Sequence, residues 1–357
     1  MELSFEVPLN PVSFGQVSTA LLRETYARSM NPSIFPIGNV DLSTQENDDD
    51  FFKWLQDKIT RSYRIHKRDT PCIKLWHLNG GLSSVSNKQV LFSFYEVDSP
   101  TPSEVNVVKQ NTTVFSSSFS KQVFESHGAD SHFVPLGFDK YNFKKIDKEY
   151  FSDGRIVFNL CGKLEKRKHH KKIIQSWLKK FGDNNKYFLQ CSIFNPHIKQ
   201  EDNIKLFNEI TGGKSFFNLT FLNYMPHNSL YNDFLNSGDV ILGMSGGEGW
   251  GLPEFHSVAL GKHAVLLNAH AYKDWASKDV AVMINPCGKI ESEDGMFFKK
   301  GQEFNQGSFF DFDEDEFVHG CEEAIKRVEE NKVNENGLKL QEKFTYSKTL
   351  DKLMELT

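Results

Sequence analysis

Twelve short apolar runs recur along the chain, with amphipathic stretches between many of them. In the first half the runs are "LSFEV", "SIFPIG", "CIKLWHL", "QVLFSFYEV", "TTVFSS" and "SHFVPL". In the second half they are "RIVFNLCG", "KYFLQC", "FFNLTFLN", "DVILGM", "HAVLLN" and "VAVMIN". The stretches between them, such as "QVSTALLRETYARS", "SKQVFESHG", "HHKKIIQSWLKKF" and "HNSLYNDFLNSG", carry apolar residues at helical spacing. Strand–helix alternation predicts parallel sheets with helices on both faces. About six such units lie on each side of a polar, lysine-rich connector from Asp139 to Asp153. The expected class is therefore α/β, with two doubly wound Rossmann-like domains, residues 1–150 and 151–335. A last helix, about 336–357, is expected to return to the first domain. In such sheets ligands bind at the carboxyl ends of the strands, so a cleft between the domains is the expected site. The acidic "ENDDDFF" reads as a helix start, with carboxylates at its positive end.

Length and composition narrow the class. A chain of 357 residues can bury two cores, and 39% hydrophobic with 25% charged residues is a globular balance. A net charge of −5 argues against a wholesale nucleic-acid binder. The five cysteines are widely spaced with no zinc-like pairing, so reduced thiols in a cytoplasmic setting are expected. The N-terminus has no basic, apolar leader pattern, and no apolar run approaches membrane-spanning length.

Candidate chemistry sits where strands give way to helices. "DVILGMSGGEGWGLPEFHSVALG" reads as strand, glycine-rich loop and helix, with Pro253 suited to the first helical turn. A helix start of this kind presents unpaired N–H groups that attract phosphate. The plainer alternative is a structural turn with Glu248 solvated. "GRIVFNLCGKLEKRKHHKKIIQSW" repeats the layout with a basic loop. Lys163 and Lys168 are spaced to meet a diphosphate, while Lys166, Arg167, Lys171 and Lys172 read as solvated cations. In "NPVSFGQVSTALLRE", Gly15 would let backbone approach a ligand, although many such turns carry glycine. His77 in "WHLNGG" and Glu96 in "FYEVDSPTPSE" fall at strand ends, with Thr101 or Ser103 available to cap the next helix.

Together these segments resemble the retaining GT-B glycosyltransferases, specifically group 1, family four of the nucleotide-sugar transferases. The family's strand–Gly–Arg…Lys pattern appears as Gly162-Lys163 followed by Lys168, with lysine in place of arginine. Its "EGFGLPxxEAMAxGxPVI" appears as "EGWGLPEFHSVALGKHAVL", and "LYNDFLNSGDVILGMS" is similar to the unit before it. "TTVFSSSFSKQVFESHGADSHFVPLGFD" is similar to the end of the family's first domain. The resemblance is strong from 155 to 270 and looser in the first 90 residues. Two departures stand out: "CSIFNP" replaces "GxGP", and the second family glutamate is His256.

The resemblance implies metal-independent transfer of a sugar from a nucleotide diphosphate sugar, UDP- or GDP-linked, to an acceptor hydroxyl, with no further cofactor. Lys163 and Lys168 would bind the donor diphosphate, and Glu248 would contact hydroxyls of the transferred sugar. The backbone of Gly249, Trp250, Gly251 and Leu252 would hold sugar and phosphate, and His256 would take the ribose position. Gly15 would face the donor from the first domain, and His77 or Glu96 would stand near the reacting centre. Acceptors compatible with it are a glycan, a lipid-linked glycan, a protein or a modified nucleobase. A nucleic-acid acceptor is kept open by "KLEKRKHHKK" but not favoured. A catalytically inactive sugar-nucleotide-binding module is the alternative, and an epimerase or phosphorylase ranks lower.

Overall fold

The structure, a computed structural model, describes residues 2–357, arranged as two compact units. All twelve apolar runs form strands. The first unit contains everything up to Asn142, together with Phe297–Gly307 and Gln341–Thr357. Its strands are β1 (Ser4–Val7), β2 (Ser33–Pro36), β3 (Cys72–Leu75), β4 (Gln89–Ser93), β5 (Thr112–Phe115) and β6 (His132–Phe133). They form one parallel sheet in the order β2-β1-β3-β4-β5-β6. Around it lie α1 (Ser13–Ala27), α2 (Asp49–Ile65), α3 (Pro102–Lys109) and α4 (Ser118–Ser126). Strands such as "CIKL" are buried along their whole length, as parallel strands covered on both faces must be. The acidic run opens α2 as expected: the Asp48 carboxylate accepts from the Phe51 N–H, and Asp49 and Asp50 occupy the first turn. Thr101 caps α3 reciprocally with Glu104.

The second unit holds Phe143–Met296 and Ser308–Leu340. Its main sheet is again six parallel strands: β7 (Ile156–Cys161), β8 (Tyr187–Ser192), β9 (Leu219–Phe221), β10 (Val240–Gly243), β11 (His263–Leu267) and β12 (Val282–Ile284). Their order is β12-β11-β10-β7-β8-β9, so strand order reverses between β7 and β10. A feature absent from the expectation is the antiparallel hairpin of β13 (Pro286–Glu291) and β14 (Ser308–Phe312). The helices are α5 (His170–Phe181), α6 (Gln200–Thr211), α7 (Asn228–Ser237), α8 (Leu252–Ala259), α9 (Tyr272–Trp275) and α10 (Glu314–Glu330). The polar connector is tied down along α7: the Lys144 and Ile146 N–H groups donate to Asn232 and Asn236. All five cysteines are unpaired. No described helix is long and apolar enough to cross a membrane.

The chain end, expected as one helix, is three: α11 (Glu335–Leu338), α12 (Leu340–Lys343) and α13 (Tyr346–Met354). A new cap restarts the helix, since the Thr345 hydroxyl accepts from the Lys348 N–H. Within the first unit, Arg28, which closes the C-terminus of α1, pairs with Asp351 at 2.6 Å, and the Phe138 N–H donates to the Phe344 carbonyl at 2.9 Å. Gly137 makes this close approach possible, because a Cβ there would lie 2.1 Å from the Tyr346 nitrogen. Gly137→Ala should therefore cost about 1–3 kcal/mol. Chemical denaturation checks this, with Gly288→Ala, where a Cβ would meet open space, expected to change nothing.

Candidate active site

The strand-order reversal in the second unit juxtaposes the loops after β7 and β10, the position at which doubly wound sheets bind ligands. The loop after β7 turns at Gly162, whose φ of +103° favours glycine. A Cβ there would lie 3.1 Å from the Lys168 side chain, which passes over it. Residues Lys166–Lys168 then make one 3-10 turn, and His169 enters the left-handed region before α5 begins. That tight turn directs Arg167 and Lys168 inward, while Lys166 and Lys171 stay exposed.

The loop after β10, Ser245–Gly251, is buried throughout, which excludes a solvated Glu248. Glu248 Oε1 accepts from Arg167 Nη1 at 2.6 Å and from Lys168 Nζ at 2.5 Å. Arg167 also donates to the Gly247 carbonyl and pairs with Glu165, which in turn holds Lys163 at 2.9 Å. Arg167 thus departs from the expectation of a solvated cation: it is 8% exposed and bridges two carboxylates. Lys172 is likewise engaged, with Asp311 at 2.8 Å.

Burial opposes charge at Glu248, but Arg167 and Lys168 outweigh it and bring its pKa down to about 2. Burial also opposes the charge of Lys168, yet Glu248 and Glu254 hold its pKa above the ordinary lysine value. Glu254 behaves oppositely to Glu248. Burial dominates, Lys168 only partly offsets it, and the carboxyl is raised. Its Oε1 lies 3.8 Å from Lys168 Nζ. The cluster therefore sets Lys163, Arg167 and Lys168 against Glu165, Glu248 and Glu254, with charges matched.

α8 opens at Gly251, at φ +78°, followed by Leu252 and Pro253 in the first turn. The glycines of this loop serve the protein's own packing. A Cβ on Gly246 would lie 2.3 Å from the Phe310 carbonyl, and one on Gly251 would lie 2.4 Å from the Tyr272 ring. The Trp250 side chain is buried against Phe255, and its carbonyl accepts from Trp275 Nε1 at 3.0 Å. Two positions apart on a helix face nearly opposite ways. Accordingly Glu254 faces Lys168, while the His256 ring stacks on Phe143 at 4.4 Å. Burial lowers the His256 pKa to about 3. Arg167 and Glu254 are the site residues that sequence reasoning missed. For Arg167 the sequence carries no signal, since one 3-10 turn in the structure decides which cations of the run point inward. For Glu254 the helical phase relative to His256 was the signal available.

In the first unit, Gly15 lies in the first turn of α1 and not in the preceding loop. A Cβ there would sit 2.0 Å from the Asn10 carbonyl, so its glycine character has an internal reason. His77 is exposed two residues after β3, its ring 4.3 Å from that of Phe14. Glu96 is half-buried, three residues beyond β4.

Solved structures share this fold over nearly the whole chain. Sucrose-phosphate synthase from Thermosynechococcus elongatus matches at a TM-score of 0.69 and 9% identity, covering 99% of this chain and 98% of that one. A glycosyltransferase from Rickettsia africae matches at 0.68 and 12%, covering 99% and 97%. Anabaena HepE, solved in complex with UDP-glucose, matches at 0.66 and 12%, covering 99% and 98%. The architecture is that of the GT-B glycosyltransferases. No protein-family model matches the chain, and no curated protein matches it in sequence.

Proposed function

We propose that this chain is a retaining glycosyltransferase that uses a nucleotide diphosphate sugar, without a metal, in a reducing cytoplasmic setting. The observation that carries the reading is the buried Lys168–Glu248–Arg167 cluster at the strand-order reversal of a GT-B fold. Breaking the sugar–phosphate bond leaves a diphosphate whose growing charge needs fixed positive partners. Lys163, Lys168 and the start of α8 supply them, with Arg167 holding Glu248 in place. Glu248 orients the sugar through its hydroxyls, and the backbone of Gly249–Leu252 receives sugar and phosphate. The acceptor hydroxyl attacks from the leaving-group face and gives its proton to the departing phosphate oxygen. Gly15 and either His77 or Glu96 are the first unit's contribution in this reading.

Titration with UDP and GDP, followed by a donor panel beginning with UDP-glucose, tests the reading directly. Lys163→Ala and Lys168→Ala should each weaken the nucleotide diphosphate by about 2–3 kcal/mol, the loss of one charge-assisted contact. Lys171→Ala should leave binding unchanged. Equal behaviour of all three would remove the clamp assignment.

His256 keeps the ribose place in the resemblance. His256→Ala should raise donor KM with little change in kcat, provided circular dichroism shows the fold intact. An unchanged KM would put the ribose elsewhere on α8. A histidine at 256, where the resemblance calls for a carboxylate, favours one second reading, an inactive sugar-nucleotide-binding module. Donor turnover separates the two.

A further inference from the structure

The first sheet reverses its strand order between β1 and β3, and its carboxyl edge there differs chemically from that of the second sheet. Phe14 follows β1, Trp76 and His77 follow β3, and Phe94 follows β4, three strands adjacent in the sheet. Their rings form one group: Phe14 lies 4.3 Å from His77, 4.4 Å from Phe94 and 6.0 Å from Trp76. Phe14 is buried at the centre of the group, Trp76 and Phe94 are half-buried and His77 is exposed, so the surface presented at the edge is that of Trp76, His77 and Phe94, backed by Phe14. Asn79 and Glu96 stand in the same loops as polar neighbours.

Charge gives the second observation. The connections leaving the six strands at this edge, residues 8–12, 37–48, 76–88, 94–101, 116–117 and 134–139, contain one cation, Lys88, which has crossed to the amino edge, where its carbonyl accepts from the Cys72 N–H. They also contain Asp41, Glu46, Asp48, Glu96, Asp98 and Asp139. The cations on the flanking helices and connector are engaged: Arg23 with Asp48, Lys121 with Glu125, and Lys140 with Glu24. Lys299 and Lys300 are exposed on the segment that hydrogen-bonds the start of α3. The loop after β7 in the second unit, by contrast, carries Lys163, Lys166, Arg167 and Lys168.

Phosphate groups call for fixed cations, and nucleic-acid backbones call for many of them. An aromatic face with a few carboxylate and amide groups suits an uncharged sugar ring. Its C–H face packs on the rings, and its hydroxyls donate to the acceptor oxygens. We infer that the carboxyl edge of the first sheet is the acceptor site, and that it takes a neutral, unphosphorylated carbohydrate ring stacked on Trp76 and Phe94, which the buried Phe14 holds in place. The inference rests on the glycosyl-transfer reading. One acceptor hydroxyl oxygen bonds to the anomeric carbon as that carbon's bond to the phosphate oxygen breaks. The electron pair leaves with the nucleotide diphosphate, and the hydroxyl proton passes to the departing oxygen.

Saturation-transfer NMR on the full chain tests this with methyl hexosides, maltotriose and cellotriose, the matching hexose 6-phosphates, and a single-stranded oligonucleotide. Neutral sugars should receive saturation on their ring C–H protons, and Phe94→Ala should reduce it at least fivefold. Phe94→Leu, which keeps the bulk but not the ring, should reduce it as well. The Lys299→Ala/Lys300→Ala double variant should leave it unchanged. The inference is overturned if no neutral sugar binds. It is equally overturned if the 6-phosphates or the oligonucleotide bind more tightly and lose that advantage in the double variant. UDP binding, measured separately by calorimetry, reports on the transfer reading itself. Its absence beside intact sugar stacking would sink the enzyme assignment and leave the sugar site standing.

Discussion

Glu248→Ala is expected to lower the unfolding free energy by about 3–5 kcal/mol and to reduce sugar transfer to background. The stability loss follows from burial. Arg167 and Lys168 both donate to Glu248 Oε1, and both are under one-tenth exposed. Removing the carboxylate leaves Arg167 with Glu165 and Lys168 with only the more distant Glu254, where water cannot replace the lost partner, and breaking one partner of a buried pair is strongly destabilising. Glu248→Gln keeps an acceptor oxygen but no charge, and should fall between alanine and the native residue. Lys172→Ala, which breaks the half-buried pair with Asp311, should cost about 1 kcal/mol or less. Urea denaturation ranks the three. A loss below about 1 kcal/mol for Glu248→Ala would mean that Arg167 and Lys168 find other partners. For turnover, the assay belongs well below the variant's melting temperature, with UDP affinity measured in parallel. In the proposed mechanism, turnover falls far more than affinity for free nucleotide, because Glu248 addresses the sugar. Equal loss of both would place it on the nucleotide.

The second large effect is acid lability above the usual carboxylate range. Burial lowers the pKa of His170 and His256 to about 3 and of His270 to about 4, against an ordinary value of 6.5. His170 and His270 each donate through Nε2 to a carbonyl, of Cys161 and Ser245, a contact that favours the charged ring but is outweighed by burial. Below pH 6.5 the unfolded chain binds three protons that the folded chain refuses. Stability is therefore full above pH 6.5 and falls as pH drops, by up to about 4 kcal/mol per pH unit for three such groups. Glu254, Asp139, Asp239 and Glu104 act in the opposite sense, since burial raises their folded pKa and folding then favours proton uptake. Comparison of variants separates the two contributions. His256→Phe retains a ring to stack on Phe143 but cannot titrate. It should flatten the stability slope between pH 6.5 and 5 by about 1.4 kcal/mol per unit. An unchanged slope would show that His256 protonates in the folded protein.

The sheets were legible because parallel strands buried on both faces must be apolar along their length, as "DVILGM" and "RIVFNLC" are. The hairpin was not, because β13 reads "PCGKIE", mostly exposed and without alternation. Its partner "SFFDF" gives no sign by itself of an antiparallel neighbour. At the site, Lys168 and Glu248 stood out through spacing around glycines. Arg167 did not, since a run of basic residues leaves open which members turn inward. That was decided by one 3-10 turn and the left-handed His169. Glu254 and His256 lie on the same helix, and only its rotation about its axis decides which faces Lys168. The glycines were legible as necessary, but at Gly15, Gly246 and Gly251 the closest atoms belong to the protein itself.

The way the first unit is assembled bears on the order in which it can form during synthesis. Most of its sheet is available once residue 142 has left the ribosome. Yet Phe138 forms a parallel bridge with Thr345, Gly137 packs against Tyr346, and Arg28 at the end of α1 pairs with Asp351. Residues 297–307 also belong to this unit, capping the start of α3 through Asn305 and Glu303. The portion made first is thus completed last, after the entire second unit has been translated. Nascent chains stalled before residue 341 should carry a finished second sheet beside a first one still open to proteolysis along α1, reversing the usual N-terminal-first sequence of domain folding.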